Sequence, residues 1–159
     1  MSDVVWHDDG LAVGNIGNVM VNVFRQRGTL PRIAQVRARL EKLVAQYPGG
    51  VAQILVFEET SIDGTVRADE RAAGTELAKQ FASNILALAY VFEGGGFRAT
   101  SARMVLSAIR LVSRSQYPNR ICSSVPEGTR WLGEQLPGSD MHRVAALIEE
   151  LRAILPRAA

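Results

Sequence analysis

A chain of 159 residues with 47% hydrophobic and 21% charged residues has the size and composition of one folded domain, which excludes an intrinsically disordered protein. The formal net charge is only +2, and the longest near-continuous apolar stretch, Ile85 to Phe92, is too short for a bilayer-spanning helix. The single cysteine, Cys122, excludes an internal disulfide and a cysteine-based zinc site within one chain. The opening sequence MSDVVWHDDG has neither the basic nor the apolar region of a signal peptide, so we expect a cytoplasmic protein without a transmembrane segment.

Strands and helices alternate along the chain, as judged from apolar residues repeating every second position or every third and fourth position. The predicted elements begin with a hairpin of strands Leu11–Gly14 and Val19–Phe24, a helix from Thr29 to Tyr47 and a strand Val51–Phe57. A helix opened by Asp69 follows, with Ala72, Ala73, Leu77 and Phe81 facing inward. The remaining elements are a strand Leu86–Phe92, a helix after Gly96, a strand Arg120–Ser123, a helix from Pro126 and a last helix within Asp140–Leu155.

This order predicts an α/β fold with a mixed, mostly parallel sheet that opens with a hairpin and is covered by about four helices, plus a C-terminal helix. We expect an α/β domain over residues 1–137 and a C-terminal helical extension over residues 138–159. The extension carries an apolar stripe that needs a covering surface, either in the same chain or in a second copy. A homodimer is therefore one hypothesis.

Three consecutive glycines follow a predicted strand in YVFEGGGFRATSAR, residues 90–103. No lysine follows them, as a P-loop requires, and the glycines lack the spacing of a dinucleotide fingerprint. We interpret the segment as a tight turn between a strand and a helix, because glycine adopts positive φ without strain. The alternative is an anion site at the helix start, formed by Gly94, Gly95, Gly96 and Arg98.

Three arginines, Arg103, Arg110 and Arg114, are spaced by seven and four residues and so fall on one side of the predicted helix. They form either a solvated face or a docking surface for an acidic partner, an anionic lipid head group or nucleic acid. Nucleic acid is the least expected of these, because no aromatic platform or reader motif accompanies the arginines.

No catalytic or metal-binding set stands out in the sequence. There is no Ser-His-Asp or Cys-His arrangement, and the acidic segment from Glu58 to Glu70 does not follow the calcium-loop pattern. Glu58, Glu59 and Glu93 follow predicted buried strands, where α/β sheets place ligand sites, and paired carboxylates there could act as acid and base. We expect a protein that is not an enzyme and that uses no cofactor or metal.

Four segments carry a family resemblance: LAVGNIGNVMVNVF (11–24), YPGGVAQILVFEE (47–59), VFEGGGFRATSARMVLSAI (91–109) and PNRICSSVPEGTRWL (118–132). With these segments the chain resembles the STAS fold of anti-sigma factor antagonists, and more narrowly the STAS-like proteins of unassigned function that are frequent in myxobacteria. The resemblance covers residues 4–136 and implies a non-enzymatic interaction module in bacterial signalling with an unidentified protein partner.

In that family a serine at the start of the helix after the third strand is phosphorylated, which ends partner binding. The corresponding region here is EETSIDGTVRADER, and its hydroxyls belong to Thr60, Ser61 and Thr65, with Asp63 between them. The aspartate-serine-glycine pattern of a working antagonist is absent. The resemblance implies that partners bind at the loop Glu58–Arg71 and the amino end of the following helix. A small-anion or lipid-binding module, with a layout similar to CRAL-TRIO domains, is the alternative, and a small enzyme using a strand-end glutamate is the second alternative.

Overall fold

Six strands form one sheet in the computed structural model, which describes residues 3–61, 67–94 and 114–157. The strands are β1 (Val4–His7), β2 (Leu11–Ile16), β3 (Val19–Phe24), β4 (Val51–Phe57), β5 (Ile85–Phe92) and β6 (Asn119–Cys122). The helices of the described part are α1 (Leu30–Gln46), α2 (Ala68–Gln80), α3 (Val125–Gln135) and α4 (Met141–Ile154), and a short 3-10 turn spans Glu59–Ser61. The helix predicted after Gly96 lies outside the described residues.

The strands lie in the sheet in the same order as in the chain. Strands β1, β2 and β3 pair antiparallel, whereas β3, β4, β5 and β6 pair parallel. Helix α1 connects β3 to β4 and α2 connects β4 to β5, as parallel neighbours require a crossover. The prediction of a mixed, mostly parallel α/β sheet opening with a hairpin is confirmed.

Alternation along the strands divides the core into two layers. In β3, Val19, Val21 and Val23 point to the layer that contains α3 and α4, here called the α4 face. Met20 and Phe24 point to the layer that contains α1, here called the α1 face. Both layers are apolar, which explains why the three central parallel strands are mostly buried along their length.

Several predicted strand ends differ from the structure by one or two residues, and two larger differences concern β1 and α2. Strand β1 was not predicted, because it has four residues, lies at the sheet edge and pairs with β2 through an irregular register between Val4 and Trp6. Helix α2 begins at Ala68, after Arg67 as N-cap, so Asp69 does not cap it; its carboxylate accepts from the Glu70 amide at 2.9 Å instead.

Helix α4 is covered within its own chain. Its stripe of Val144, Leu147, Ile148 and Leu151 is at most 1% exposed. The helix packs on β2, β3 and α3, so these side chains belong to the same core layer as the sheet. The apolar stripe that motivated the homodimer hypothesis therefore has its covering surface without a second copy. No helix within the described ranges is long and apolar enough to cross a membrane.

Candidate functional site at the carboxyl ends of the parallel strands

Three phenylalanines end three adjacent parallel strands. Phe24, Phe57 and Phe92 are in register, and their rings stack with centroids 4.9 Å apart and planes 9° from parallel. The sheet ladder continues one step further, because the Glu58 amide donates to the Phe24 carbonyl and the Glu93 amide to the Phe57 carbonyl, both at 2.9 Å. The stack on the α1 face thus aligns the next residue of each strand on the α4 face.

Those next residues carry charge. Arg25 follows β3, and Glu58 follows β4. Arg25 Nε donates to Glu58 Oε1 at 2.6 Å, and Arg25 Nη2 donates to Glu58 Oε2 at 3.2 Å. Arg25 Nη1 donates to the carbonyls of Leu155 and Pro156 at 2.8 and 3.2 Å. One guanidinium therefore ties two strand ends to the chain segment that leaves α4.

A second arginine reaches the same point from α4. Arg152 Nη1 donates to Glu58 Oε2 at 2.8 Å and to Glu93 Oε1 at 2.7 Å, and Nη2 donates to Glu93 Oε2 at 2.9 Å. Its Nε lies 3.3 Å from Glu149 Oε1. Arg25, Glu58, Glu93 and Arg152 form the strand-end network, which joins β3, β4, β5 and α4 by bidentate and bridging contacts.

The electrostatics of the network favour its charged form. Burial opposes ionisation of Glu58, but hydrogen bonds and charge from Arg25 and Arg152 outweigh burial and lower the pKa of this carboxyl below its ordinary value. The hydrogen bonds that Arg152 donates to Glu93 and Glu58 likewise raise the pKa of this arginine. A carboxylate held ionised by two guanidinium groups is poorly suited to take up or deliver a proton at neutral pH.

An open cleft of about 630 Å³ lies beside the network, here called the strand-end cleft. Besides the network, it is lined by Glu59, Thr60, Gly94 and Arg157, with Ala153 and Leu155 of the chain around α4. A Cβ at Gly94 would lie 3.2 Å from Cγ of Glu59, so the Glu59 side chain crosses over this glycine. Within the described ranges, no ion pair engages Glu59 or Arg157.

The hydroxyl residues of the predicted partner loop have local bonds where they are described. The Thr60 hydroxyl is in an exposed turn and donates to the Arg25 carbonyl at 2.8 Å. Ser61 is 2% exposed, and its hydroxyl donates to the Glu58 carbonyl at 2.7 Å. Both hydroxyls therefore help to shape the turn that borders the cleft. Asp63 and Thr65 lie outside the described residues.

The other predicted sites are described only in part. Gly94 lines the strand-end cleft and has a φ of +131°, whereas Gly95, Gly96 and Arg98 lie outside the described residues. Arg114 is exposed. Arg103 and Arg110 also lie outside the described ranges, so the anion site and the arginine face both stay predictions. No group of three or more His, Cys, Asp or Glu side chains in the described ranges is placed to hold a metal ion.

The sequence pattern predicted Glu58 and Glu93 at strand ends, but their arginine partners were not predicted. A signal for Arg25 was present, because Val-Phe followed by a charged residue occurs three times: at residues 23–25, 56–58 and 91–93. The repeat marks three strands that end at the same level of the sheet. Arg152 has a weaker signal, since it lies four residues after Ile148, on the flank of the apolar stripe of α4.

Comparison of the chain with family models, with curated proteins and with solved structures gave no match in any of the three. The STAS-like resemblance accordingly stays a prediction.

Proposed function

We propose that this protein is a non-enzymatic interaction module of STAS-like type, acting in the cytoplasm in bacterial signalling, whose protein partner binds at the strand-end cleft. The observation that carries the proposal is the strand-end network, in which both partly buried carboxylates are paired with arginine. The paired charges hold three strand ends and α4 in one arrangement. They thereby provide a preformed surface at the carboxyl edge of the sheet, where α/β proteins bind their ligands.

The pairing also weighs against a small enzyme that uses a strand-end glutamate. A general acid or base needs a pKa close to the working pH, whereas the arginines move the pKa of Glu58 in the opposite direction. Small-molecule sites are also mostly apolar and enclosed. The strand-end cleft is open and bordered by six charged side chains, three of each sign, which suits a protein surface better.

One border of the strand-end cleft belongs to the segment in which the STAS-like resemblance implies partner binding. The 3-10 turn Glu59–Ser61 forms part of the cleft and begins the segment Glu58–Arg71 that the STAS-like resemblance assigns to partner binding. Glu59 and Arg157 are the charged lining residues outside the network, one of each sign. A partner that presents both an acidic and a basic group would pair with them, and it would gain orientation more than affinity from these contacts.

Affinity capture from the source cells tests this proposal. The bait is the tagged full chain as wild type, as a Glu59→Arg/Arg157→Glu variant, and as a Lys42→Glu/Glu134→Arg control. The control residues are exposed and lie toward the carboxyl ends of α1 and α3, at the opposite edge of the sheet. We expect one protein to be captured by the wild type and the control and to be lost with the cleft variant.

Equal capture by the cleft variant would place the partner elsewhere and contradict the proposal. Native mass spectrometry of the same preparations covers the ligand-binding alternative. A protein that captures no partner but retains a few hundred daltons of bound mass per chain would be a ligand-binding module. The described residues supply no observation that favours the small-anion or lipid alternative.

A further inference from the structure

The loop that joins β3 to α1, residues 25–29, contacts both described ends of the segment to which the proposed function assigns partner binding. At one end, Arg25 Nε donates to Glu58 Oε1 at 2.6 Å. At the other end, Arg27 Nε lies 3.2 Å from Oε1 of Glu70, in the first turn of α2. This β3–α1 loop therefore connects the strand-end network to the amino end of α2.

Glu70 is the buried member of the second ion pair. It is 6% exposed, whereas Arg27 is 33% exposed. An ionised carboxylate at such burial needs a compensating charge, and removal of that charge from a buried pair is strongly unfavourable. The neighbouring pair Arg67–Asp69 is 3.8 Å long and more than half exposed on both sides, and pairs of that kind contribute little. Among the described residues, Arg27 is thus the charge that holds the amino end of α2.

The backbone that carries Arg27 is itself fixed. The Arg25 amide donates to the Gly10 carbonyl at 2.8 Å, in the turn between β1 and β2. Arg32, in the first turn of α1, donates to the Arg27 carbonyl at 2.8 Å and to Asp8 at 2.9 Å. The β3–α1 loop is therefore bonded to the opening hairpin and to α1, so a contact from Arg27 can fix α2 relative to the sheet.

We propose that Arg27 is a positioning residue of the partner surface, which through Glu70 fixes the amino end of α2 relative to the strand-end cleft. The inference rests on the proposed function, because it concerns how the partner-binding segment is held. The Thr60 hydroxyl, which donates to the Arg25 carbonyl at 2.8 Å, ties the first part of that segment to the same loop. A surface whose parts are held before binding loses less conformational freedom when the partner arrives.

Hydrogen exchange of single amides, measured by NMR on the full chain without a partner, tests the positioning. The Arg71 amide donates to the Arg67 carbonyl at 3.0 Å at the start of α2, and the Phe81 amide donates to the Leu77 carbonyl at its end. We expect Arg27→Met to accelerate exchange at Arg71 about tenfold and at Phe81 less than about twofold. Equal acceleration at both amides would mean a general loss of stability and would overturn the proposal.

Two comparisons show whether the effect belongs to the ion pair. Arg143→Met removes an exposed pair with Asp3 at the start of α4, and we expect wild-type exchange at Arg71. The double variant Arg27→Met/Glu70→Gln should exchange no faster than Arg27→Met alone, because the unpaired carboxylate is removed together with its partner. Unchanged exchange in Arg27→Met, or multiplied effects of Arg27→Met and Glu70→Gln, would refute the pairing.

The capture experiment described above tests the link to recognition, with the protein captured by the wild type as the probe. We expect Arg27→Met to lose this protein, as the Glu59→Arg/Arg157→Glu variant does, and Arg143→Met to retain it. Retention by Arg27→Met with loss by the cleft variant would refute the positioning role and leave the proposed function standing. Retention by the cleft variant would refute the proposed function and, with it, the role of Arg27 in recognition.

Discussion

Arg152→Met is the sharpest perturbation of the strand-end network. It removes the guanidinium but keeps most of the aliphatic stem, so the packing of α4 on the sheet is disturbed little. The change deletes the contacts of 2.8 Å to Glu58 and of 2.7 and 2.9 Å to Glu93. Glu58 keeps Arg25, while Glu93 loses the arginine contacts that hold it.

The stability that Arg152→Met is expected to lose depends on how far the ion pair between Arg152 and Glu93 is exposed to solvent. Breaking a fully buried ion pair costs about 3–5 kcal/mol, because the remaining charge is left without compensation. Here Arg152 is 21% exposed and Glu93 28% exposed, so water can solvate Glu93 in part. We therefore expect Arg152→Met to lower the free energy of unfolding by about 2–3 kcal/mol.

Urea denaturation followed by circular dichroism measures this difference. Arg157→Met is the matched control, since Arg157 borders the same cleft without an ion pair to the described residues, and we expect a change within about 0.5 kcal/mol. If Arg152→Met also stays within that range while the slope against urea is unchanged, the network does not stabilise the fold and the reasoning fails.

The pH dependence gives an independent check with a defined sign. The folded-state pKa of Glu58 lies below its ordinary value of 4.5. Its contribution is therefore fully present above pH 4.5 and is lost as the pH falls through the lower folded-state pKa. We expect the difference in stability between wild type and Arg152→Met to shrink in that acidic window. A difference that grows on acidification would contradict the assignment.

Three further predictions concern packing and use the same unfolding measurement. Gly50→Ala should lower the free energy of unfolding by about 2–4 kcal/mol, because the residue has a φ of +122° and its new Cβ would lie 2.6 Å from a leucine of β5. Gly49→Ala, whose Cβ would meet open space, should change it by no more than about 0.5 kcal/mol. Gly128→Ala should lower the free energy of unfolding by about 1–3 kcal/mol, since its Cβ would approach a valine of β5 to 2.7 Å. Gly74→Ala in α2, which meets no neighbour, should instead raise it by about 0.5–1 kcal/mol, and equal effects of the two changes would refute the close approach of α3 to the sheet. Leu151→Ala should cost about 3 kcal/mol, because this side chain of α4 is fully buried in the α4 face; a change below about 1 kcal/mol would mean that α4 is dispensable for the core.

Local patterns predicted most of the described elements. Strand β3 and strand β4 have the predicted boundaries, and α1 follows Thr29 as expected, because alternation, helical spacing and turn residues are properties of neighbouring positions. Strand β1 was missed for the complementary reason. Four residues at a sheet edge carry little pattern of their own, and pairing with β2 decides their conformation.

The sequence by itself therefore determined the α/β class, the opening hairpin and the placement of Glu58 and Glu93 at strand ends, since each depends on a short stretch of chain. Only the tertiary structure brought Arg152 to Glu58, 94 residues earlier in the chain, because that contact requires α4 to pack on β2 and β3. The pairing of the two glutamates with arginine, and the burial of Asn22 without a hydrogen bond to the described residues, are likewise products of packing. Whether a charged or polar group is free or engaged depends on neighbours that are distant in sequence, and no local pattern contains that information.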